Sequence, residues 1–360
     1  MDKIPVTIVS GFLGAGKTTL LNHLLAGEHG VRIAVLVNDF GSIDVDSSLI
    51  QNVHGTTIGL ANGCVCCTIR DDLVQALVEL LARDFVPDHI VIETSGVSDP
   101  AAAAMAVVMS TRLASRLRLD AIVTVVDAEN LLGLAGEHQA LATDQIQAAD
   151  IVLVNKRDLV SAETLDRVQS WIRTSAPRVR ILVTAQCAVP LEILFDTAPL
   201  ARAARERAPA EVTTATTGTG HGHGRGHGHA AVHDVTTWSW HEATPVALGP
   251  LYELLQRLPT EVFRAKGHLN LAEVPDRRVV LQVVGKRIQL SKGSSWAPGE
   301  EPASRVVMLA LGHESQFGAV AADLGRCLDN STSPPNRFVE AVVNILRGPS
   351  DPTEADVPPR

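Results

Sequence analysis

Aromatic residues are scarce in this chain, at 3% of 360 residues with a single tyrosine, so the core must be built from aliphatic side chains. No apolar run approaches the roughly 20 residues that a membrane helix needs. The chain has no long basic run, and its formal net charge is −9, which argues against a nucleic-acid-binding surface. We therefore expect a soluble enzyme that binds neither membranes nor nucleic acids.

Cysteine is also rare, with five residues in all. The amino-terminal stretch MDKIPVTIVS contains no apolar signal segment, so we expect a cytoplasmic protein whose thiols stay reduced. Cys187 and Cys327 lie alone in apolar stretches and are predicted to be core residues. The other three cysteines form one cluster.

The length exceeds that of one typical core, so two domains are expected. Residues 1–205 alternate strand-like and helix-like segments, which predicts an α/β fold with a mostly parallel, doubly wound sheet. Residues 206–236, rich in glycine and histidine, predict a disordered linker. A smaller α+β domain is predicted over 237–347, and a flexible tail over 348–360. The predicted strands are 6–10, 33–37, 90–93, 122–127, 151–155, 181–184, 278–284 and 305–311.

Residues 11–19, GFLGAGKTT, follow a strand-like run and match the G-x-x-x-x-G-K-[ST] phosphate loop. Its glycines let backbone N–H groups wrap around phosphates, while Lys17 would reach the β- and γ-phosphates and Thr18 would bind Mg²⁺. A glycine-rich turn that binds nothing is the alternative, but strand, motif and helix occur in the required order. The predicted nucleotide-binding residues here are Gly11, Gly14, Ala15, Gly16, Lys17, Thr18 and Thr19, and Lys17 is also predicted to be catalytic.

A second motif, NKRD, follows the apolar run 151–154. The Asp158 carboxylate can accept two hydrogen bonds from guanine, the stem of Lys156 can cover the base, and Asn155 would tie this loop to the phosphate loop. A surface turn with solvated charges is the alternative. Together with the phosphate loop, the motif favours GTP over ATP.

A third motif, ETSG, begins where the predicted strand 90–93 ends. Because ligands in open α/β sheets lie beyond the carboxyl ends of the strands, Glu93 is predicted to hold Mg²⁺ or its waters and to be catalytic. Gly96 is predicted to contact the γ-phosphate through its N–H. An ordinary turn that caps the next helix is compatible with these roles.

The cysteine cluster reads GCVCC and lies between the first and third motifs. Thiolates of Cys64, Cys66 and Cys67 can converge on zinc or a similar cation. The spacing leaves the fourth ligand open among Asp39, His54, a partner's ligand and water. Buried packing, a redox pair or a disulfide are less consistent with three clustered cysteines in a reducing compartment.

The predicted linker has a chemistry of its own, because imidazoles spaced along a glycine chain can fold around zinc, nickel or cobalt. Such a site would have modest affinity and would pass its metal to the cysteines. The alternative is a linker that is simply enriched in histidine. The auxiliary ligands predicted here are His221, His223, His227, His229 and His233.

Together these motifs resemble the CobW-like P-loop GTPases, which are metallochaperones and cofactor-assembly factors. The resemblance rests on GFLGAGKTTLLNHLL, NDFG, NGCVCCTIRDDL, ETSGVSDP, NKRDL and a predicted turn, FRAKG, over 263–267, so it spans nearly the whole chain. It implies a GTPase whose cysteine site binds zinc or cobalt and is coupled to the nucleotide state. The family often has N-E-F-G where this chain has the shorter Asp39, which fits a catalytic or magnesium-side acid better than a zinc ligand.

Three functions follow from this resemblance. The first is a GTP-driven chaperone that transfers zinc, or cobalt, to a client metalloprotein. The second is a metal reservoir or sensor in which GTP binding is regulatory. The third is an accessory role in cobalamin synthesis or metalloenzyme activation. Metal-dependent self-association is left open.

Overall fold

The computed structural model describes residues 3–27, 31–37, 56–59, 68–83, 86–195, 235–312, 317–328 and 337–347. The chain divides into two compact units, Met1–His233 and Asp234–Arg360. Within the described ranges, no helix has both the length and the apolar composition required to cross a membrane.

The first unit contains a parallel sheet, to which the described residues contribute seven strands. These are β1 (Ile4–Ser10), β2 (Ile33–Val37), β3 (Thr56–Gly59), β4 (His89–Glu93), β5 (Leu117–Asp127), β6 (Ile151–Asn155) and β7 (Arg180–Val183). Their spatial order is β3-β2-β4-β1-β5-β6-β7. Strands β2, β4 and β6 are buried at every position, as expected for a parallel sheet that is covered on both faces.

The helices of this unit use aliphatic side chains to cover the sheet. Leu20, Leu21, Leu24 and Leu25 form the buried face that the sequence predicts for the first helix. The helices are α1 (Lys17–Ala26), α2 (Thr68–Leu81), α3 (Pro100–Met109), α4 (Gly136–Ala148), α5 (Ala162–Ser175) and the short α6 (Leu191–Leu194), with 3-10 turns at Leu131–Gly133 and Arg157–Leu159.

Strand order determines where a ligand can bind. The chain moves from β1 to one side of the sheet through β2, β3 and β4, and then to the other side through β5, β6 and β7. Strand β1 therefore lies at the switch point, where the carboxyl ends of a doubly wound sheet open into a crevice. The GFLGAGKTT loop starts at this end of β1.

The described residues of the second unit contribute five strands to an antiparallel sheet. Leucines of one helix and Phe317 of another pack into its core, where Trp238 stacks on Phe317. The elements are β8 (Val235–Glu242), α7 (Leu248–Gln256), β9 (Val262–Leu271), β10 (Val274–Val284), β11 (Arg287–Ser295), β12 (Ser304–Leu311), α8 (Phe317–Arg326) and α9 (Arg337–Arg347). The spatial order of the strands is β11-β10-β9-β12-β8.

The predicted fold class is confirmed, because a parallel α/β sheet is followed by a smaller α+β unit. Two expectations for the second unit were wrong. The FRAKG segment is part of β9 and not a turn, and β8 begins at Val235, two residues inside the predicted linker. Residues 206–234 and 348–360, for which the sequence predicts a linker and a tail, lie outside the described residues.

Candidate nucleotide site

The loop between β1 and α1 has the conformation of a phosphate cradle. Gly11, Gly14 and Gly16 all have positive φ, at 136°, 74° and 113°. A Cβ atom on Gly11 would lie 2.1 Å from the carbonyl oxygen of Val125, whereas one on Gly14 would meet no atom within 4 Å. The loop is therefore pressed against β5 at its start and open at its middle, where backbone N–H groups can approach an anion.

Lys17 is the first residue of α1, and its side chain folds over this loop. Its Nζ donates to the carbonyl oxygens of Gly11 at 3.0 Å and Phe12 at 3.4 Å, and the residue is only 8% exposed. Thr18 is half-buried and Thr19 is exposed. The loop thus concentrates one ammonium group and the amino-terminal end of a helix, both of which favour phosphate.

The NKRD motif is joined to the loop by hydrogen bonds at Asn155. Its Nδ2 donates to the carbonyl oxygen of Ala15 at 3.0 Å, which is the link that the sequence predicts. Its Oδ1 accepts a hydrogen bond from the backbone N–H of Cys187 at 2.9 Å. The close fit is visible at Gly16, where a Cβ atom would lie 2.4 Å from Asn155 Nδ2.

Cys187 is buried, as predicted, but its surroundings are not those of an ordinary core residue. Its thiol donates to the carbonyl oxygen of Gly16 at 3.3 Å, and both Cys187 and Gln186 have positive φ. Burial raises the pKa of the thiol to about 12, so it stays protonated at neutral pH. The sequence gives little sign of this role beyond the loop's position after the last strand of the sheet.

Lys156 is held beside the loop by Asp127, a residue that the motifs did not indicate. Lys156 has a left-handed φ of 62°, and its Nζ forms an ion pair with Asp127 Oδ2 at 2.7 Å. Burial raises the pKa of Asp127, but hydrogen bonds from Lys156 and Asn130 outweigh it, so the pKa lies below its usual 3.8. The ion pair is therefore intact at pH values above 3.8, and it is lost only as the pH falls through the lowered pKa of Asp127. The signal in the sequence was the acid that ends the apolar run 122–126.

Glu93 ends β4 beside β1 and is 3% exposed. The next backbone N–H, from Thr94, donates to the carbonyl oxygen of Val9 in β1, close to where the phosphate loop begins. Further on, a Cβ atom on Gly96 would lie 2.7 Å from the backbone nitrogen of Leu13. The ETSG segment therefore runs directly along the phosphate loop, with Asp158 exposed on the NKRD side.

These three segments, in this order and on this sheet, are what a P-loop GTPase requires. Residues 5–183 match the family model of the CobW/HypB/UreG nucleotide-binding domain, and residues 235–328 match that of the cobalamin synthesis protein cobW C-terminal domain. The chain belongs to the CobW/HypB/UreG family. It is a P-loop GTPase with the two-unit organisation of CobW proteins.

The names of several relatives of this CobW-type GTPase refer to zinc, to GTPase activity or to both. The zinc chaperone CobW of Pseudomonas aeruginosa is 33% identical over 91% of this chain and 92% of its own length. The zinc-regulated GTPase metalloprotein activator 1 of Schizosaccharomyces pombe is 40% identical over 48% of this chain, but this match spans only 43% of that relative. The Zn(II)-bound YjiA GTPase from E. coli superposes with a TM-score of 0.42 and 23% identity, covering 90% of this chain and 99% of that one.

The structure does not extend to the other predicted site residues of this CobW-type chain. Among the described residues, no group of three or more His, Cys, Asp or Glu side chains is arranged to hold a metal ion. The predicted site residues that lie outside the described ranges are Asp39, His54, Cys64, Cys66, Cys67, His221, His223, His227, His229 and His233.

Replacing Asp127 with alanine is expected to raise the KM for GTP roughly three- to fivefold with little change in kcat, because Lys156 must then be ordered at the moment of binding. Steady-state GTP hydrolysis across pH 6 to 8 measures both constants. The matched control is Asp144→Ala, an exposed carboxylate on α4. An unchanged KM would mean that Lys156 does not depend on Asp127.

Proposed function

We propose that this P-loop GTPase hydrolyses GTP with Mg²⁺ and uses the nucleotide cycle to carry zinc to a client metalloprotein. The observation that carries the nucleotide part is the 3.0 Å hydrogen bond from Asn155 to Ala15, which joins the NKRD loop to the phosphate loop. This link supports the proposal that the predicted guanine reader and the phosphate loop belong to one site. The zinc part is supported by the names of the relatives and by the C-x-C-C motif.

The nucleotide would be held by groups of both loops. The positive-φ glycines present backbone N–H groups to the phosphates, and Lys17 supplies the positive charge at the β- and γ-phosphates. Asp158 is exposed and accepts from guanine, while Lys156, tethered by Asp127, covers the base with its stem. A site built on an aspartate acceptor discriminates against adenine, because adenine lacks the matching donors.

The residues present also fit Mg²⁺. Thr18 provides a hydroxyl at the amino-terminal end of α1, and Glu93 provides a carboxylate at the end of β4; both are the hard oxygen ligands that Mg²⁺ prefers. Bound there, the ion would neutralise charge that develops on the phosphate oxygens. Glu93 would orient the ion or its waters, and the role of Asp39 as a catalytic or magnesium-side acid stays a prediction of the sequence.

Zinc is the cargo in this proposal. Cys64, Cys66 and Cys67 would bind it as thiolates, and the histidine-rich segment would collect it with lower affinity. Cys187 and Cys327 do not compete, because burial raises their thiol pKa values to about 12 and about 11. Cobalt can bind to the same ligands, so the experiment described below compares zinc with cobalt.

The competing function is a metal reservoir or sensor in which nucleotide binding is regulatory and turnover is incidental. A third is service to cobalamin synthesis or to activation of one metalloenzyme, which would specify the client. A cytoplasmic location and self-association through metal stay predictions of the sequence. The first two functions differ in whether metal affinity depends on the nucleotide.

The deciding experiment titrates zinc, and separately cobalt, into the apo full-length protein against a chromophoric chelator, with GDP and then with a non-hydrolysable GTP analogue. We expect tighter binding in one nucleotide state, and loss of both tight binding and its nucleotide dependence in Cys66→Ala, because metal and nucleotide couple reciprocally. Removing one of three thiolates is expected to weaken zinc at least tenfold.

The matched control is Cys327→Ala, which removes a buried thiol that the second unit keeps protonated. Its zinc affinity should equal that of the unmodified chain in both nucleotide states. Equal affinity with GDP and with the GTP analogue would reject GTP-driven transfer and favour the reservoir. Unchanged affinity in Cys66→Ala would place the metal elsewhere.

A further inference from the structure

Gln145 forms hydrogen bonds to a distant segment that no sequence motif predicts. It lies in the last turns of α4 and is 1% exposed. Its Nε2 donates to the carbonyl oxygens of Gly96 and Ser98, both at 3.1 Å. A primary amide has two N–H donors, so both are used to hold one short turn that lies almost 50 residues earlier in the chain.

The turn held by Gln145 is the segment that meets the phosphate loop. Gly96 lies against Leu13, and Ser98 donates its N–H back to Ser95 at 3.0 Å. α3 begins just beyond this turn, where the Asp99 side chain caps the helix by accepting a hydrogen bond from the backbone N–H of Ala101. A glycine backbone rotates easily, so the direction of the Gly96 peptides must be fixed by outside contacts, and the Gln145 carboxamide supplies one of them.

Gln145 is itself anchored at the level of the phosphate loop. The backbone carbonyl oxygen of Gln145 accepts a hydrogen bond from the buried Thr124 hydroxyl at 3.0 Å. Thr124 is in turn paired with Ser10, the last residue of β1. Strand pairing and hydrogen bonds therefore connect β1 and β5, through α4, to the Gly96 turn.

These hydrogen bonds lie beside a space that packing leaves unfilled. Gln145 lines a mainly apolar cavity of about 280 Å³ together with Phe12 and Leu13 of the phosphate loop. Side chains that border such a space lack van der Waals partners on that side. On this side of the turn, the contacts to α4 include the two hydrogen bonds from the Gln145 carboxamide.

We propose that Gln145 is a positioning residue for GTP hydrolysis, because its carboxamide fixes the Gly96–Ser98 turn in the orientation that meets the γ-phosphate. The inference rests on the proposed binding of GTP at this loop. The hydrogen bonds of the Gln145 carboxamide go to the turn, so its loss should affect the recognition of the third phosphate and leave the affinity for GDP unchanged.

The test uses the full chain with Gln145→Met, which keeps the length of the side chain and removes both donors. Measurements are the affinities for GDP and for a non-hydrolysable GTP analogue, with kcat and KM for GTP and the melting temperature. We expect kcat to fall about tenfold or more and the preference for the GTP analogue over GDP to fall several-fold, with GDP affinity within twofold of the unmodified chain.

Two further variants sharpen the test. Gln139→Met makes the same change at an exposed position of α4 and should alter nothing. Gln145→Glu keeps the shape but sets carboxylate oxygens against two carbonyl oxygens, so it should lower kcat further than Gln145→Met.

A purely structural role predicts a different pattern. Equal losses for GDP and for the GTP analogue together with a lower melting temperature would overturn the inference, as would unchanged values for both nucleotides. Absence of GTP turnover in the unmodified protein would instead refute the proposed hydrolysis. The ratio of the two affinities would still decide the role of Gln145 in that case.

Discussion

Lys17→Met is expected to reduce kcat/KM for GTP by roughly 100-fold or more, the effect of deleting a group that stabilises charge in a transition state. Lys17 is the ammonium group that the phosphate loop itself holds, through Gly11 and Phe12. Methionine preserves the length and the apolar stem of the side chain while removing the charge. The expected loss is therefore electrostatic and should appear mainly in kcat, because the charge on the phosphate oxygens changes during transfer.

Phosphate release under saturating and subsaturating GTP measures this loss, and circular dichroism checks the fold. Lys292→Met is the matched control, since it removes an exposed lysine from β11 in the second unit. Turnover of the Lys17 variant within about twofold of the unmodified protein would show that this loop does not carry the reaction.

Gly11→Ala is expected to destabilise the first unit by about 3 kcal/mol or more. The new Cβ would lie 2.1 Å from the Val125 carbonyl oxygen, and the residue would keep a φ of 136° that L-residues rarely adopt. Overpacking typically costs about 1 to 3 kcal/mol and the unfavourable backbone about 1 to 2 kcal/mol more. Strands β1 and β5 pair through Ser10 and Thr124 next to this contact, so the clash must separate them.

Differential scanning calorimetry should show the melting transition of the first unit falling by roughly 6 to 12 °C, at about 2 to 4 °C per kcal/mol for a unit of this size. The matched control is Gly14→Ala, which also has a positive φ but has open space where the Cβ would be. That variant should lose only about 1 to 2 kcal/mol. Equal losses at both positions would mean that backbone strain, and not the contact with Val125, determines the cost.

Much of the first unit could be predicted because its strands are buried on both faces. Each then appears as a continuous apolar run, and the predicted bounds of β2 and β6 coincide with those observed. The second unit was harder, because an antiparallel sheet with one polar face mixes residue types along each strand. Strands β8, β9 and β11 have no counterpart among the predicted strands, and FRAKG, with a glycine and two basic residues, has the composition of a turn.

The candidate site shows the same division. Lys17, Asn155 and Gly96 belong to contiguous motifs, so their chemistry can be recognised along the chain. Asp127, Cys187 and Gln145 act through contacts with segments far away in sequence. No spacing rule relates such residues, because parallel strands bring distant carboxyl ends to one edge of a sheet.

The sequence by itself determined the fold class, the phosphate loop and the predicted preference for guanine. These depend on local order, since a run of glycines, one lysine and a following helix form a cradle wherever a strand precedes them. The sequence also predicted the link from Asn155 to the phosphate loop, whereas the tertiary structure alone decided that Asp127 holds Lys156 and that Gln145 holds the Gly96 turn. Those interactions require donor and acceptor to meet within about 3 Å, a distance that the packing of α4 and the neighbouring strands creates.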